Sequence, residues 1–431
     1  MIAPNISVNE TSHLCFAGRD TVELAAKYGT PLYLLDEDTI RERCRLYRSA
    51  MRKAFGEDAL PLYAGKALCV KEIYRIMREE GMGIDVVSSG EIYTAHAGGF
   101  PMERAYFHGN NKTDADIAFA MEHGVGTFVC DSVDELDAIE REAARRAITQ
   151  RVLLRLTPGI DPHTHAAIAT GKVDSKFGAA IETGQAEELL LAALARPHIA
   201  VRGYHCHIGS QIFETAPFID AARIMLTFTA QMRTSHGFAA SELNLGGGMG
   251  VRYLAEHPMI DYGANIAAIA AEVKKTAAAL AIPVPAIRME PGRSIVADAG
   301  MTLYTVGSVK SIPGFKNYVS VDGGMPDNPR YALYESPYTV EPANRMSDAR
   351  DFVCSIAGRC CESGDLIQEG VVLPRPRRGD ILAVLTTGAY NYAMASNYNR
   401  IPRPPMVLLS GGEDRLIVRR ETFEDLLRNE L

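Results

Sequence analysis

Short apolar segments alternate with amphipathic helical segments along the chain from about residue 36 to residue 299. Apolar runs of about four to eight residues bounded by turn residues are typical of buried strands, and their alternation with helical patterns is typical of a parallel sheet. Eight such units fit a closed (β/α)8 TIM-type barrel, with an open doubly wound sheet as the alternative. The predicted strands lie near residues 61–66, 83–88, 105–109, 127–131, 151–157, 201–208, 242–246 and 286–290.

The pattern changes after about residue 300, where apolar segments follow one another without long helical segments between them. This change predicts a second, mostly β domain, a β-barrel or sandwich, formed by residues 300–431 together with residues 1–35. The barrel is then expected over residues 36–299, with Asp36 as the N-cap of its first helix. Strands of the second domain are expected at residues 31–35, 306–311, 318–321, 351–357, 380–385 and 406–409.

Composition and charge exclude several function classes. The net charge is −8 and there is no basic block, so nucleic acid is not an expected partner. No apolar run is long enough to span a bilayer, and the first residues lack the pattern of a signal peptide. The eight cysteines show no CxxC spacing, which argues against a zinc site or a disulfide framework and favours a cytoplasmic location.

Polar residues stand where the predicted barrel strands end, the position that carries the chemistry of such barrels. Lys66 ends the first strand, where it either reaches solvent or forms a Schiff base. The glycines 246–248 follow the seventh strand and form either a tight turn or a phosphate site. Glu290 ends the eighth strand, and either pairs with Arg293 or bonds a protonated ring nitrogen.

His205 and His207 lie two residues apart on a strand and therefore face the same side. Such a pair can bind a metal, but no suitably placed Asp, Glu or Cys completes a ligand set, so no metal is expected. One histidine is better suited to stack on a planar ligand, and His205 could instead be a core histidine. A lysine, a glycine turn, a stacking histidine and a carboxylate for a ring nitrogen together indicate pyridoxal phosphate.

A set of short motifs covers nearly the whole chain. They lie at residues 63–67, 107–112, 174–178, 205–211, 246–248, 290–293, 361–365 and 388–391. On these motifs the chain resembles the fold-type III pyridoxal-phosphate-dependent decarboxylases, and most closely the diaminopimelate decarboxylases. The resemblance implies a barrel with a β domain and a pyridoxal phosphate cofactor, in agreement with the expectations from the residues alone.

The resemblance also implies roles for the cofactor site. Lys66 would hold the cofactor as a Schiff base, His207 would stack on its ring, and Glu290 would face the pyridine nitrogen. Ser210 and the glycine loop would bind the phosphate, and Asp85 and Arg155 resemble second-layer residues. The residues assigned to cofactor binding are Lys66, Asp85, His207, Ser210, Gly246, Gly247, Gly248, Glu290, Pro291, Gly292, Arg293 and Tyr390.

The substrate implied is meso-2,6-diaminopimelate, which has an amino and a carboxylate group on its distal carbon. Arg293 and Arg330 would bind the distal carboxylate and Glu362 the distal ammonium, although either arginine could be a structural ion pair. The residues assigned to substrate binding are Arg293, Arg330, Tyr334, Glu362 and Tyr390. The expected products are L-lysine and carbon dioxide, in the last step of lysine biosynthesis.

Cys361 would be the general acid, and the resemblance implies that Cys361 and Glu362 enter the site from a neighbouring subunit of a homodimer. The alternatives are a decarboxylase of ornithine, lysine, arginine or carboxynorspermidine on the same fold, and a non-catalytic pyridoxal-phosphate-binding regulatory homologue. Leu68 and Cys360 depart from the family pattern. Residues 161–176 are a candidate for a loop that closes the site.

Overall fold

The computed structural model describes residues 2–160 and 175–431, so most of the candidate closing loop at 161–176 lies outside the described residues. The chain forms two compact units, which we call the β unit and the barrel unit. The β unit comprises Met1–Glu42, Val251–Met259 and Arg293–Leu431, and the barrel unit comprises Arg43–Gly250 and Ile260–Gly292.

The amino-terminal part of the β unit begins with a small antiparallel sheet. Its strands are β1 (Ile6–Val8), β2 (Leu14–Phe16) and β3 (Arg19–Asp20). Helix α1 (Thr21–Tyr28) and strand β4 (Leu32–Asp36) follow. The Asp36 carboxylate accepts a hydrogen bond from the Thr39 amide at 3.1 Å, as expected for the N-cap of the next helix, α2 (Glu37–Phe55).

The barrel unit is a closed ring of parallel strands. Its strands are β5 (Leu60–Ala64), β6 (Gly83–Val86), β7 (Ala105–Phe107), β8 (Thr127–Cys130), β9 (Gln150–Thr157), β10 (Ala179–Ala180), β11 (Ile199–His205), β12 (Glu242–Asn244) and β13 (Ala286–Met289). The ring runs β5-β6-β7-β8-β9-β11-β12-β13 and closes where β13 pairs with β5, while β10 pairs with β9 beside it. The predicted eight-stranded barrel is confirmed, and closure excludes the open doubly wound sheet.

Helices alternate with these strands and have the amphipathic patterns that the sequence showed. They are α2 (Glu37–Phe55), α3 (Lys71–Glu79), α4 (Ser89–Ala97), α5 (Asp114–Glu122), α6 (Val133–Arg146), α7 (Gln185–Leu194), α8 (Ala216–His236) and α9 (Tyr262–Ala279). Ser88, Thr113 and Ser132 cap three of them through side-chain oxygens that accept backbone N–H bonds. No helix of residues 2–160 and 175–431 has the length and apolarity that a bilayer-spanning segment requires.

The rest of the β unit is a mixed sheet with short helices. Its elements are α10 (Arg293–Val296), β14 (Gly300–Ile312), β15 (Lys316–Val321), α11 (Arg330–Tyr334), β16 (Val340–Pro342), β17 (Phe352–Ala357), β18 (Leu366–Leu373), β19 (Ile381–Leu385), β20 (Met406–Ser410), β21 (Glu413–Val418) and α12 (Phe423–Leu427). The sheet order is β18-β17-β15-β14-β4-β20-β21, and β19 pairs with both β14 and β16. Because β4 lies between β14 and β20, the amino-terminal segment joins the β domain as predicted.

Candidate active site

Lys66 lies just beyond the carboxyl end of β5, in a single 3-10 turn formed by Gly65–Ala67. Its neighbours Gly65, Ala67 and Leu68 are buried, whereas the Lys66 side chain itself is exposed. Glu91, at the start of α4, accepts a hydrogen bond from the Val87 amide at 2.8 Å. Burial and the nearby Asp85 raise the pKa of Glu91 to about 7, although Lys66 acts in the opposite direction. The structure therefore places the Lys66 amine near Asp85 and Glu91, two carboxyl groups of raised pKa.

Glu290 is the centre of a buried polar group that we call the carboxylate cluster. The Oε1 atom of Glu290 accepts a hydrogen bond from Asn244 Nδ2 at 2.7 Å, and Oε2 lies 3.2 Å from His205 Nε2. His108 Nε2 lies 2.9 Å from Oε1, at an angle unsuited to a hydrogen bond. The members of the cluster are Asp85, His108, His205, Asn244 and Glu290.

The carboxylate cluster is strongly perturbed by its burial. Burial alone would raise the pKa of Glu290, but His108 and His205 beside it hold that pKa well below its usual range. Burial lowers the pKa of His205 to about 4, so its ring is neutral at pH 7. Burial also raises the pKa of Asp85. Glu290 is therefore an anion that accepts a hydrogen bond from Asn244 and lies beside the neutral ring of His205.

A second polar group lies one layer nearer the amino ends of the strands, and we call it the amino-end triad. Tyr106 donates its hydroxyl proton to Glu242 Oε1 at 2.8 Å, and Arg288 contacts Glu242 Oε2 at 3.1 Å and the Tyr106 oxygen at 3.1 Å. Strand β7 is not adjacent to β12 or β13, so these three side chains can meet only across the barrel interior.

The triad and three members of the carboxylate cluster come from the same three strands or the residues that directly follow them. Tyr106 and His108, Glu242 and Asn244, and Arg288 and Glu290 are pairs two residues apart along the chain, so the members of each pair face the same side. Sequence analysis assigned no role to His108 or Asn244. The signal that could have found them is this repeated polar spacing at positions where a buried strand normally carries apolar side chains.

The turn after β12 must consist of glycines, because backbone atoms of neighbouring segments lie where a Cβ atom would be. A Cβ atom at Gly247 would lie 2.0 Å from the Glu290 carbonyl oxygen, and one at Gly248 would lie 2.2 Å from the Gly209 carbonyl oxygen. Gly246 has φ of 69°, the left-handed region that favours glycine. The Gly247 amide also approaches His207 Nδ1 at 3.3 Å. The turn therefore brings bare backbone against the predicted stacking histidine.

The predicted cofactor residues around the barrel rim have distinct environments. His205 is buried, whereas His207 and Ser210 are partly exposed. The Pro291 carbonyl accepts a hydrogen bond from Ala64 at 3.1 Å, and a Cβ at Gly292 would lie 2.8 Å from Ala64 Cβ. This contact ties the turn after β13 to the end of the strand that precedes Lys66.

Two arginines of the β unit are buried against tyrosine rings. Arg293 Nη1 donates to the Tyr253 hydroxyl at 2.7 Å, and its guanidinium carbon lies 4.7 Å from the Tyr390 ring centre. The Arg330 guanidinium carbon lies 5.4 Å from the rings of both Tyr390 and Tyr334. Among residues 2–160 and 175–431 Arg330 has no carboxylate partner. Its Nη2 donates to Ser336 Oγ at 3.2 Å, and its buried Nε has no acceptor. The structural ion-pair alternative for Arg330 is therefore not supported.

Tyr390 is held in an unusual backbone conformation. Its φ is 62°, a left-handed value that is costly for a non-glycine residue. The next residue, Asn391, is fully buried and donates to the Thr387 carbonyl at 3.0 Å, with the Tyr338 hydroxyl 3.3 Å away. This anchoring keeps the Tyr390 ring beside the two arginines.

Cys361 and Glu362 lie exposed on a loop whose backbone is tied down by Asp365. The Asp365 carboxylate accepts hydrogen bonds from the amides of Met325 at 2.6 Å and Cys360 at 2.7 Å. Burial and Asp365 raise the pKa of Cys360 to about 12, so this additional thiol stays protonated at pH 7.

Some motif residues have structural roles instead. Lys112 is buried and donates to Glu135 at 2.7 Å and to the Val129 carbonyl at 2.7 Å. Arg155, expected in the second layer, is buried with its guanidinium carbon 4.3 Å from the Phe177 ring centre. Asp174, part of another motif, lies outside the described residues.

Comparison with known proteins assigns the barrel part of the chain to a family. Residues 37–297 match the model of the pyridoxal binding domain of pyridoxal-dependent decarboxylases. The chain belongs to this family of pyridoxal-dependent decarboxylases. The predicted enzyme class and the pyridoxal phosphate cofactor are thereby confirmed.

Relatives of this decarboxylase match it over almost their whole length. It is 47% identical over 423 residues to the diaminopimelate decarboxylase of Bacillus subtilis, covering 98% of the chain and 96% of the relative. It is 41% identical to that of Staphylococcus aureus, covering 99% of each. The solved diaminopimelate decarboxylase of M. jannaschii in complex with L-lysine matches with a TM-score of 0.91 and 34% identity, over 99% of this chain and 98% of that one.

The residues of this decarboxylase fit its family cofactor. Asp85 Oδ1, His108 Nε2 and His205 Nδ1 are buried, and none has a hydrogen-bond partner among the described residues. Polar atoms in this state suit a heteroaromatic ligand with ring and hydroxyl donors. From the sequence no carboxylate could be placed beside the histidines, but the structure places Glu290 there. Ligand atoms of His108, His205 and Glu290 lie within 4.8 Å of one another. The Glu290 carboxylate already makes hydrogen bonds with Asn244 and His205.

Proposed function

We propose that this decarboxylase converts meso-2,6-diaminopimelate to L-lysine and carbon dioxide, the last step of lysine biosynthesis. The observation that carries the proposal is Arg330, a buried cation with no carboxylate partner among the described residues. A buried cation without an anion is costly, so it suits a substrate that brings its own carboxylate. A simple diamine or its precursor has no distal carboxylate. The names of the relatives at 47% and 41% identity support the same substrate.

Each group around the carboxylate cluster has a role in this proposal. Lys66 would hold the cofactor, and bound pyridoxal phosphate would supply a sink for the electron pair left when carbon dioxide departs. Glu290 would accept a hydrogen bond from the protonated ring nitrogen, and His205 and Asn244 bond Glu290 and keep it in place. His207 would stack on the ring, while Ser210 and the turn at 246–248 would bind the phosphate, the turn through bare N–H groups. Asp85, Pro291 and Gly292 support this shell.

Substrate selection falls to the β unit. Arg293 and Arg330 bind the distal carboxylate with charge-assisted hydrogen bonds, and the distal ammonium pairs with Glu362. Tyr390 and Tyr334 keep water from the guanidinium faces, because their rings lie 4.7 to 5.4 Å from the two guanidinium carbons. Arg330, which has no carboxylate partner among the described residues, favours a distal carbon that carries a carboxylate beside its ammonium over a distal carbon with an ammonium alone.

Cys361 is the proposed general acid that protonates the substrate carbon after carbon dioxide leaves. Its exposure on an anchored loop supports a role across a subunit interface, with Cys361 and Glu362 completing the site of a neighbouring copy in a homodimer. The eight free cysteines, none in a disulfide among the described residues, support a cytoplasmic location.

The deciding experiment measures L-lysine formed from meso-2,6-diaminopimelate by the holoenzyme, with L-ornithine, L-lysine and L-arginine in parallel. We expect turnover of diaminopimelate alone. The Arg330→Gln variant should raise KM for diaminopimelate about tenfold or more, because a charge-assisted hydrogen bond is lost. Arg141→Gln, an exposed arginine on α6, is the matched control. Turnover of a substrate without a distal carboxylate, unaffected by Arg330→Gln, would contradict the proposal.

A further inference from the structure

The amino end of the barrel holds a polar cavity that the proposed reaction does not use. Its volume is about 230 Å³. Parallel strands all begin at this end, so the cavity lies at the face opposite the strand ends that lead to Lys66. Its charged lining residues are Glu103, Arg104, Arg151, Arg202, Glu242 and Arg288.

The cavity wall has an excess of positive charge that internal ion pairs do not cancel. Four arginines against two glutamates leave two uncompensated positive charges. Arg288 pairs with Glu242 at 3.1 Å, in the amino-end triad. Arg104 and Arg151 donate to backbone carbonyls instead: Arg104 to Gly81, and Arg151 to residues 126 and 103. Their charges are therefore not neutralised by carboxylates.

Arg202 reaches this wall through an irregularity in strand β11. The register of β11 against β9 shifts by one residue between Val201 and Gly203, so Arg202 is an extra residue opposite no partner. Its side chain is exposed and makes no hydrogen bond or ion pair with the described residues. At Gly203 a Cβ would lie 1.9 Å from the Glu242 carbonyl oxygen, so the chain must pass β12 closely just after the bulge. The bulge thus adds an unengaged guanidinium to the cavity.

The burial of Arg104 makes the positive charge of the cavity wall energetically costly. Burial and the neighbouring Arg48 lower the pKa of Arg104, which means that its positive charge is disfavoured where it stands. An anion in the cavity would relieve that cost and could accept hydrogen bonds from Arg202 without breaking an internal ion pair. A cavity of this volume admits a small anion but not a nucleotide-sized one.

We propose that this amino-end cavity binds a small multivalent oxyanion, carrying phosphate or carboxylate groups, at a site separate from the cofactor site. The proposal does not depend on which amino acid is decarboxylated. Arg202 is its main recognition residue, with Arg104 and Arg151 supplying the surrounding positive charge.

The test is isothermal titration of the holoenzyme with inorganic pyrophosphate and, separately, with citrate, at fixed ionic strength. At least one anion should bind, and Arg202→Gln should raise its dissociation constant about tenfold, the loss of one charge-assisted hydrogen bond. Arg141→Gln changes net charge equally, on an exposed side chain of α6, and should leave the dissociation constant unchanged. Arg151→Gln provides a second variant within the cavity.

The two titrants distinguish phosphate from carboxylate ligands of the same cavity. Binding of neither anion overturns the proposal. Binding that all three variants leave unchanged, or weaken equally, also overturns it, because the anion would then occupy another basic site such as the arginines of the β unit.

Discussion

The barrel interior carries two polar groups that share three strands, and they differ in how completely their hydrogen-bonding groups are paired within the barrel. In the amino-end triad, Glu242 accepts hydrogen bonds from Tyr106 and Arg288. Among the described residues, no polar side-chain atom of these three residues is buried without a partner. In the carboxylate cluster, three atoms of Asp85, His108 and His205 lack partners. A shift of two positions along the same strands therefore leads from a group whose polar atoms are paired within the barrel to a group whose unpaired polar atoms are available to a ligand.

The largest expected contrast comes from removing the carboxylate charge in the cluster. Glu290→Gln should lower kcat about a hundredfold or more, because a neutral amide cannot hold a protonated ring nitrogen. The affinity for pyridoxal phosphate, measured by fluorescence titration of the apoenzyme, should fall as well. Glu242→Gln, the same change in the amino-end triad, should leave kcat within about threefold. Equal losses in the two variants would break the comparison.

For the free energy of unfolding we expect the opposite contrast, with a clear loss from the change in the amino-end triad. Glu242→Gln should lower the free energy of unfolding by about 3 kcal/mol, since Arg288 would remain largely buried without a carboxylate. Urea unfolding of the holoenzyme and of the apoenzyme measures this loss, which should appear in both. A loss found only in the holoenzyme would show that the triad acts through the cofactor site.

A smaller effect concerns pH. The pKa of His205 is about 4 in the folded protein, below the usual 6.5, so between these values the unfolded chain binds a proton that the folded chain does not. This term therefore lowers stability as pH falls from about 6.5 to about 4, by up to about 1.4 kcal/mol per pH unit. His205→Asn should flatten the dependence measured by urea unfolding of the apoenzyme.

Tyr106→Phe is the control for the pH prediction. Burial and Glu242 raise the pKa of Tyr106 to about 12, so this hydroxyl does not titrate in the acid range. The variant should lower stability by about 1 kcal/mol at every pH between 5 and 7. A pH slope that changes in Tyr106→Phe and not in His205→Asn would contradict the assignment.

The barrel strands could be predicted from the sequence because each is a short, mainly apolar run between turn residues, as a strand buried on both faces requires. Strands β18 and β21 were missed because few of their residues are buried and their polar residues are not separated from a loop by any local pattern. Strand β20 was found for the same reason as the barrel strands. In β14 only the partly exposed half at 306–311 was predicted, and its buried half at 300–304 was missed.

The candidate site was predictable only in part. Lys66, Glu290 and the turn at 246–248 were found because each follows a recognisable strand. The pairing of Glu290 with Asn244, and the approach of His108, depend on barrel closure, which joins residues far apart in sequence. Likewise, only the fold shows that Arg330 lies between tyrosines and not beside a carboxylate.

The position of β4 has a consequence for the order in which the protein is completed during synthesis. This strand is made long before its neighbours β14 and β20, which begin at Gly300 and Met406. Its five residues are all buried in the finished sheet, so an apolar strand waits without partners while the intervening chain is made. Contacts of such sequence separation form late. The β unit is therefore the last part of the protein to be completed, and premature termination before β20 would leave one edge of β4 open to association with other chains.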